Sequence, residues 1–349
     1  MELTIRHIGA DEYGEARRVW DICFPEDATG YSDYYFARRT RPEYVLAAFY
    51  EGKMIGALHA IPYPIMLGGG TKNCVMIAGV ATLPEYRHHM AAARLITACH
   101  AEQKQKGTAA AILKPDVNFY AQFGYMPFAW HDEYRLPWID AGIPSPIHEA
   151  DAREMLSIYS SFSADYIGMM ARTEQDMENY IEEARISGGF AYSDGKAYAL
   201  LNETDGGADV YELVGTDTAG LLSSLAEEFG ALTFRLPRDT IPSLPAMRTG
   251  EIMFSMICPL NEDILLKNTG AQSAEELAGD AVSLADTDGV TMTNAVVSVL
   301  CDALTRVGLM VVAFLLVLIL LVALGNVGNL SFRLPNMEVV SSVKLTLLT

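Results

Sequence analysis

Basic residues are scarce in this chain: 25 Lys and Arg stand against 44 Asp and Glu, a net charge of −19 over 349 residues. A surface of that sign repels a polyphosphate backbone, which argues against nucleic acid as a partner and favours cationic small molecules or basic peptides. Cysteine is also sparse. Cys23, Cys74, Cys99, Cys258 and Cys301 are widely spaced and form no C-x-x-C. That pattern excludes a disulfide framework and a thiolate zinc site, so no metal is expected and a reducing compartment is. The opening "MELTIRHI" has no apolar run of the kind a secretory signal needs, and the folded part is expected in the cytoplasm.

What is present is an ordinary globular balance, half of the residues apolar and a fifth charged. The length suits two or three domains. Residues 2–8 alternate as a strand, and "DEYGEARRVWDICF" places Ala16, Val19, Trp20 and Cys23 on one helical face. "YVLAAFY", "MIGALHAIPYPIML" and "CVMIAGVATL" read as strands joined by glycine-bearing turns, so three or four antiparallel strands are complete by Leu83. A helix is expected from about His88 to Gly107, with Lys104 and Lys106 in its last turn and a glycine to stop it. "AAAILK" reads as a strand, "DVNFYAQF" as a short helix capped by Asp116, and "YMPFAWHDEYRL" as a strand. From Ala150 the theme repeats weakly as helix, hairpin, strand, helix and strand, ending in "EIMFSMICPL". Near the end, "VGLMVVAFLLVLILLVAL" (307–324) holds no polar side chain. At ~1.5 Å per residue it would extend about 27 Å as a helix, which reads as a membrane anchor or as the buried helix of a homo-oligomer.

The junction "GVATLPEYRHHMAAARLI" (79–96) carries the first chemical signal. A strand that turns tightly into a helix N-terminus aims several backbone N–H groups one way, and the helix dipole adds partial positive charge. Arg87 supplies a forked donor that matches phosphate oxygens, His88 and His89 supply further donors, and Ala91, Ala92 and Ala93 allow close approach. The turn suits a pyrophosphate. The same small residues also serve plain close packing of helix on strand.

The order of these segments resembles the GNAT acetyltransferases. "GVATLPEYRHHMAA" is similar to their R/Q-x-x-G-x-G/A loop, matching at Arg87 and Ala92, and "NFYAQFGYMPF" (118–128) is similar to their second landmark, about 30 residues on. The likeness is greatest to the Eis-like (enhanced intracellular survival) branch, strong to residue 137 and weaker to residue 260. It implies an α+β fold, with a mixed, mostly antiparallel twisted sheet flanked by helices in two tandem GNAT-like domains. The expected division is a GNAT domain at 1–145, a degenerate second copy at 146–260, a short linker at 261–306, the apolar helix at 307–330 and a tail at 331–349.

The resemblance further implies acetyl-CoA as co-substrate and acetyl transfer to a primary amine, polyamine-like, aminoglycoside-like or on lysine. The residues from Arg87 through His88, His89, Met90 and Ala91 to Ala92 would hold the pyrophosphate. Val80 and Thr82 would offer backbone groups to the pantetheine arm, Asn118 would touch the cofactor, and Tyr120 would protonate the departing thiolate. A phenol is neutral at pH 7 and can donate there. Phe24, Glu26 and Tyr35 lie where such proteins build an acceptor pocket, and could receive an ammonium group. They read equally as a solvated acidic loop over an aromatic cluster. His59 and His100, in apolar runs, read as core residues, and Tyr125 as packing.

Three departures from the pattern matter. Met90 stands where the family has glycine. A positive φ there costs methionine roughly 1–2 kcal/mol, whereas a first-turn position adds only bulk. Asp217 falls where the second copy would need its arginine loop, so that copy should not hold CoA. The chain ends in "SVKLTLLT", and the family's terminal carboxylate base cannot be carried over to Thr349. Two other functions stay open on these grounds: a catalytically weakened acyl-CoA-binding regulator and a membrane-tethered scaffold.

Overall fold

A computed structural model describes residues 1–137 and 142–280. The first half runs β1 (Thr4–His7), α1 (Tyr13–Cys23), α2 (Tyr31–Tyr34), β2 (Val45–Tyr50), β3 (Lys53–Pro62), β4 (Ile65–Leu67), β5 (Gly70–Lys72), β6 (Cys74–Thr82), α3 (Ala91–Gln105), β7 (Ala110–Leu113), α4 (Val117–Tyr120) and β8 (Met126–Leu136). The second half runs β9 (His148–Glu149), α5 (Ala152–Ser163), α6 (Glu174–Ile186), β10 (Phe190–Ser193), β11 (Ala197–Thr204), β12 (Gly207–Gly215), α7 (Ala219–Phe229), β13 (Ala231–Pro237), β14 (Met247–Pro259), α8 (Glu262–Leu266) and α9 (Ala274–Asp280).

Among the described residues, twelve strands form one mixed sheet in the order β1-β2-β3-β6-β7-β14-β8-β13-β12-β11-β10-β9, with β4 and β5 set apart as a hairpin. Strands β2 and β3 are apolar on both faces because both faces are covered. Leu46, Ala48, Ile55 and Leu58 pack under α3 with Leu95, Ile96 and Cys99. Val45, Ala47 and Ala57 face Val19 and Trp20 of α1 and Tyr34 of α2. The second half is built the same way, with α7 on one face and α5 and α6 on the other. The expected α+β architecture, a mostly antiparallel mixed sheet flanked by helices, is the one observed.

Local chemistry sets the helix starts. The Asp116 carboxylate accepts from the Phe119 N–H, Asp151 accepts from Arg153 and Glu154, and Thr173 with Asp176 forms a reciprocal cap on α6. Helix α3 begins at Ala91 rather than near His88, because Met90 takes the left-handed conformation (φ +61°, ψ +20°) and cannot continue a right-handed helix. The segment "AREMLSIYSSFS", not singled out from sequence, forms α5, and residues 65–72 make a separate hairpin rather than extending β3.

Sequence order does not reveal the central pairing. Strand β14, from the second half, lies between β7 and β8, with Met256 opposite Leu113 on one side and Ile252 opposite His131 on the other. Strand β8, from the first half, pairs with β13, Leu136 opposite Leu232. The halves thus exchange their last strands. Within 261–280 the chain forms α8 and α9. Among the described residues no helix is long and apolar enough to cross a membrane. The apolar segment 307–324 and the tail lie outside the described residues.

Candidate active site

The site begins with a strand that leaves its neighbour. Strand β6 pairs in parallel with β7 only at Cys74, Val75 and Met76, opposite Ala110, Ala111 and Ile112. It then continues to Thr82 alongside β3 alone. Between His59↔Ala78 and Ala57↔Ala81 it gains one residue, a β-bulge at Gly79 and Val80 that turns the strand. Gly79 has φ +55°, and a Cβ there would stand 2.2 Å from Cζ3 of Trp20. Only glycine fits both the backbone and the indole.

Beyond Thr82 the chain makes a short 3-10 turn over Pro84–Tyr86, an extended residue at Arg87, and two non-glycine residues with positive φ, His88 (+67°) and Met90 (+61°). Arg87 is exposed, its Nε donates to the Thr82 carbonyl at 3.4 Å, and its side chain also meets the Cys23 thiol. The first amides of α3, at Ala91, Ala92 and Ala93, have no partner within the helix. Strand end, loop and helix start surround a cleft of about 480 Å³.

Its walls bring together most of the residues expected from sequence. Val80, Thr82, Arg87, His88, Met90, Ala91 and Ala92 line it, and so does Phe24. His89 and Asn118 are exposed and stand outside that lining. Glu26 is exposed and also outside it. Tyr35 corrects an expectation: it is 1 % exposed and stacks on Trp20 at 4.3 Å, so its ring belongs to the core under α1 and offers a ligand no surface. Cys23, Tyr86 and Gln122 line the cleft and were not anticipated. For Cys23 a signal existed in its adjacency to Phe24; Gln122 and Tyr86 carried none.

Tyr120 closes α4 and is half-buried, in T-shaped contact with Phe119 at 5.0 Å and with Tyr125 at 5.7 Å. Phe119 and Phe123 reach the cleft on either side of it, while Tyr120 itself is not among the lining residues. Burial, with a smaller push from Asp116, raises its phenol to about 12. Tyr125 is buried, hydrogen-bonded to His100 Nε2 at 2.9 Å, and burial lowers that imidazole to about 4. His59 is buried within the aromatic cluster of Trp20, Tyr35 and Phe36, and burial lowers it to about 3. Among the described residues no group of three or more His, Cys, Asp or Glu could hold a metal ion.

Comparison with known proteins agrees with this geometry. Residues 4–128 match the model of the acetyltransferase (GNAT) domain. No curated protein matches the chain. Among solved structures, a probable N-acyltransferase from Enterococcus faecalis superposes with a TM-score of 0.64 at 14% identity, over 77% of this chain and 75% of that one. A GCN5-related N-acetyltransferase from Anabaena variabilis gives 0.63 at 16% identity, covering 74% and 73%. Eis1 from Mycobacterium abscessus gives 0.59 at 16% identity, covering 76% and 81%. Identities this low show a shared fold. The matched domain and the cleft it contains make this chain an acyltransferase with a GNAT acetyltransferase domain over residues 4–128.

Proposed function

We propose that the cleft binds acetyl-CoA and that the domain moves its acetyl group to a primary amine. One observation carries the reading: the open edge of β6, the arginine loop and the unpaired amides of α3 converge on a single cleft. The fit is chemical as well as spatial. Arg87, His88 and the first turn of α3 present donors to a diphosphate, and the backbone of Val80–Thr82 presents strand groups to an extended amide-bearing arm. The bound thioester supplies an activated carbonyl carbon. The acceptor nitrogen bonds to that carbon, the carbon–sulfur bond breaks, and the sulfur leaves with its electron pair.

Tyr120 is the group proposed to give that sulfur a proton. Burial raises its phenol to about 12, so the proton is present throughout the neutral range, and the phenol gives it up less readily than a free one would. The proton lost by the amine goes to water, and the Tyr120 phenolate takes a proton back from water, which restores the phenol and closes the cycle. The chain's negative charge favours a cationic acceptor, polyamine-like, aminoglycoside-like or lysine, entering beside Phe24. Such a reaction belongs in the cytoplasm, where acetyl-CoA is made and used. The second half lacks a comparable loop: three residues, Thr216, Asp217 and Thr218, connect β12 to α7, and Asp217 pairs with Lys196 at 3.1 Å. Its proposed role is to wall the first.

The deciding experiment is thiol release from acetyl-CoA across a panel of primary amines, for wild type and Tyr120→Phe. Turnover that falls about 100-fold in the variant is expected for loss of a general acid. Equal turnover would remove Tyr120 from the mechanism. A second reading, an acyl-CoA-binding protein with little turnover, draws on the strained Met90 and on the position of Tyr120 outside the lining. Calorimetric binding of CoA with no thiol release from any amine would favour it.

A further inference from the structure

Between the two halves runs a continuous line of contacts that ends at the cleft. On α6, the Asn179 carbonyl and Glu183 Oε2 face the Tyr34 hydroxyl at 2.8 and 3.2 Å, and all three residues are buried. Two flanking contacts tie the same helix to the segment after α2. Arg38 pairs with Glu182 at 3.2 Å, and the Arg39 guanidinium lies 5.2 Å over the Tyr180 ring. That segment, Tyr35–Arg39, is a π-helical turn, a wide geometry that needs outside support to persist.

The turn delivers Tyr35 onto Trp20, stacked at 4.3 Å and 26°. Trp20 in turn touches the β-bulge and one lining residue of the cleft. Its benzo ring fills the space in front of Gly79, where even a methyl group would collide, and its ring system lies 4.9 Å from Phe24, which lines the cleft. Packed aromatic rings at these distances do not slide independently, since the interior is as dense as an organic crystal. The bulge that opens β6 away from β7 is therefore held from behind by Trp20, and Trp20 is held by a turn that the second half clamps.

We propose that Tyr34 is a positioning residue for the acyl-transfer cleft, and that α6 of the second half, through Glu183 and Asn179, fixes the bulge geometry of the first. This rests on the acyl-transfer reading above. The Arg87 loop follows the bulge and is tied to it by the bond from Arg87 Nε to the Thr82 carbonyl, so the clamp acts first on the bulge and diphosphate binding is expected to change little.

The test uses the full chain. Tyr34→Phe keeps the ring and removes the hydroxyl. It is expected to lower kcat about tenfold, the scale of a sub-ångström displacement at a reacting centre, while the calorimetric Kd for CoA stays within about twofold. Glu183→Gln retains an acceptor oxygen and is expected to keep the wild-type kcat, whereas Glu183→Leu should reproduce the loss. A readout independent of turnover is the ¹⁹F spectrum of 5-fluorotryptophan protein, with the Trp20 line assigned by Trp20→Phe. That line should shift in Tyr34→Phe, and the Trp130 line should not. An unmoved Trp20 line overturns the proposal, as does an unchanged kcat in Tyr34→Phe or a CoA Kd that collapses along with it. A wild-type protein that releases no thiol from any amine sinks the acetyltransferase reading instead, and the Trp20 line still decides whether the clamp exists.

Discussion

Two β-α-β units in this molecule share one plan and put it to different use. In β6–α3–β7 and in β12–α7–β13, parallel strands pair over only three or four residues before the first strand runs on without its partner. In the first unit eight residues, 83–90, separate strand from helix, and Arg87 stands exposed among them beside a cleft. In the second the connection is three residues long, and the arginine bound to its first strand is Arg172, which comes from the segment before α6 and has a fully buried side chain. Its guanidinium forks onto both Glu212 oxygens at 2.7 and 2.9 Å and lies over the Tyr159 and Tyr180 rings at 4.3 and 4.5 Å. The first unit's arginine stays exposed beside a cleft, whereas the second unit's first strand carries a glutamate that holds a buried arginine from outside the unit. A repeated fold need not repeat a site, because the site resides in the loop and in the fate of a few charges.

The sharpest way to break the contrast is Arg172→Leu. Removing one member of a buried pair strands the Glu212 carboxylate, and the variant should lose about 3–5 kcal/mol of stability in urea titrations. Replacing both partners with apolar residues should recover much of that loss. If Arg172→Leu unfolds at the wild-type midpoint, the second unit is not held by its buried charge.

A smaller effect separates the halves by pH. His59 and His131, both in the first half, are buried and held down to about 3, mainly by desolvation, whereas the described second half has only the exposed His148. Below the usual imidazole range the unfolded chain takes up protons that the folded chain refuses. Stability should therefore be full above about pH 6.5 and fall as the pH drops toward 3, by about 1.4 kcal/mol per unit for each histidine. Denaturation midpoints between pH 7 and 5 measure this. His131→Phe should reduce the slope by the share of one proton, and an unchanged slope would mean that His131 is protonated in the fold.

At the ligand loop, Arg87→Ala should leave the urea midpoint in place and raise the Kd for CoA about 10- to 100-fold, the value of a charge-assisted contact. Loss of stability without loss of affinity would assign Arg87 to the scaffold and erase its difference from Arg172. The smallest expected change is Met90→Gly. Methionine at φ +61° and 70 % exposed gains little from packing, so glycine should add up to about 1 kcal/mol and leave CoA binding equal or tighter. Weaker binding in the variant would show that the fixed, strained loop is needed for the donor.

Much of the site was legible because it is local. The turn at Pro84, Arg87 just before the small-residue helix and the Asp116 cap follow from short-range sterics and side-chain chemistry within a few residues. Met90 conflicts with a positive φ for the same reason, and it has a left-handed backbone in the structure. Tyr35 was not legible. Phe24 and Tyr35 look alike in sequence, but Phe24 reaches the cleft and Tyr35 is core, since a π-helical turn rotates it onto Trp20. Gln122 and Tyr86 gave no pattern, because lining a cleft depends on which neighbours stop short.

The sequence by itself determined the acidic surface, the strand-turn-helix around Arg87, and the aromatic segment around Tyr120, the last two resting on contacts between residues near in the chain. Tertiary structure alone decided that β14 enters between β7 and β8 and that Arg172 meets Glu212 rather than a ligand. It also decided that the second half reaches the cleft through Tyr34 and Trp20. Those outcomes join residues far apart along the chain, and burial of both partners in one shared sheet selects them.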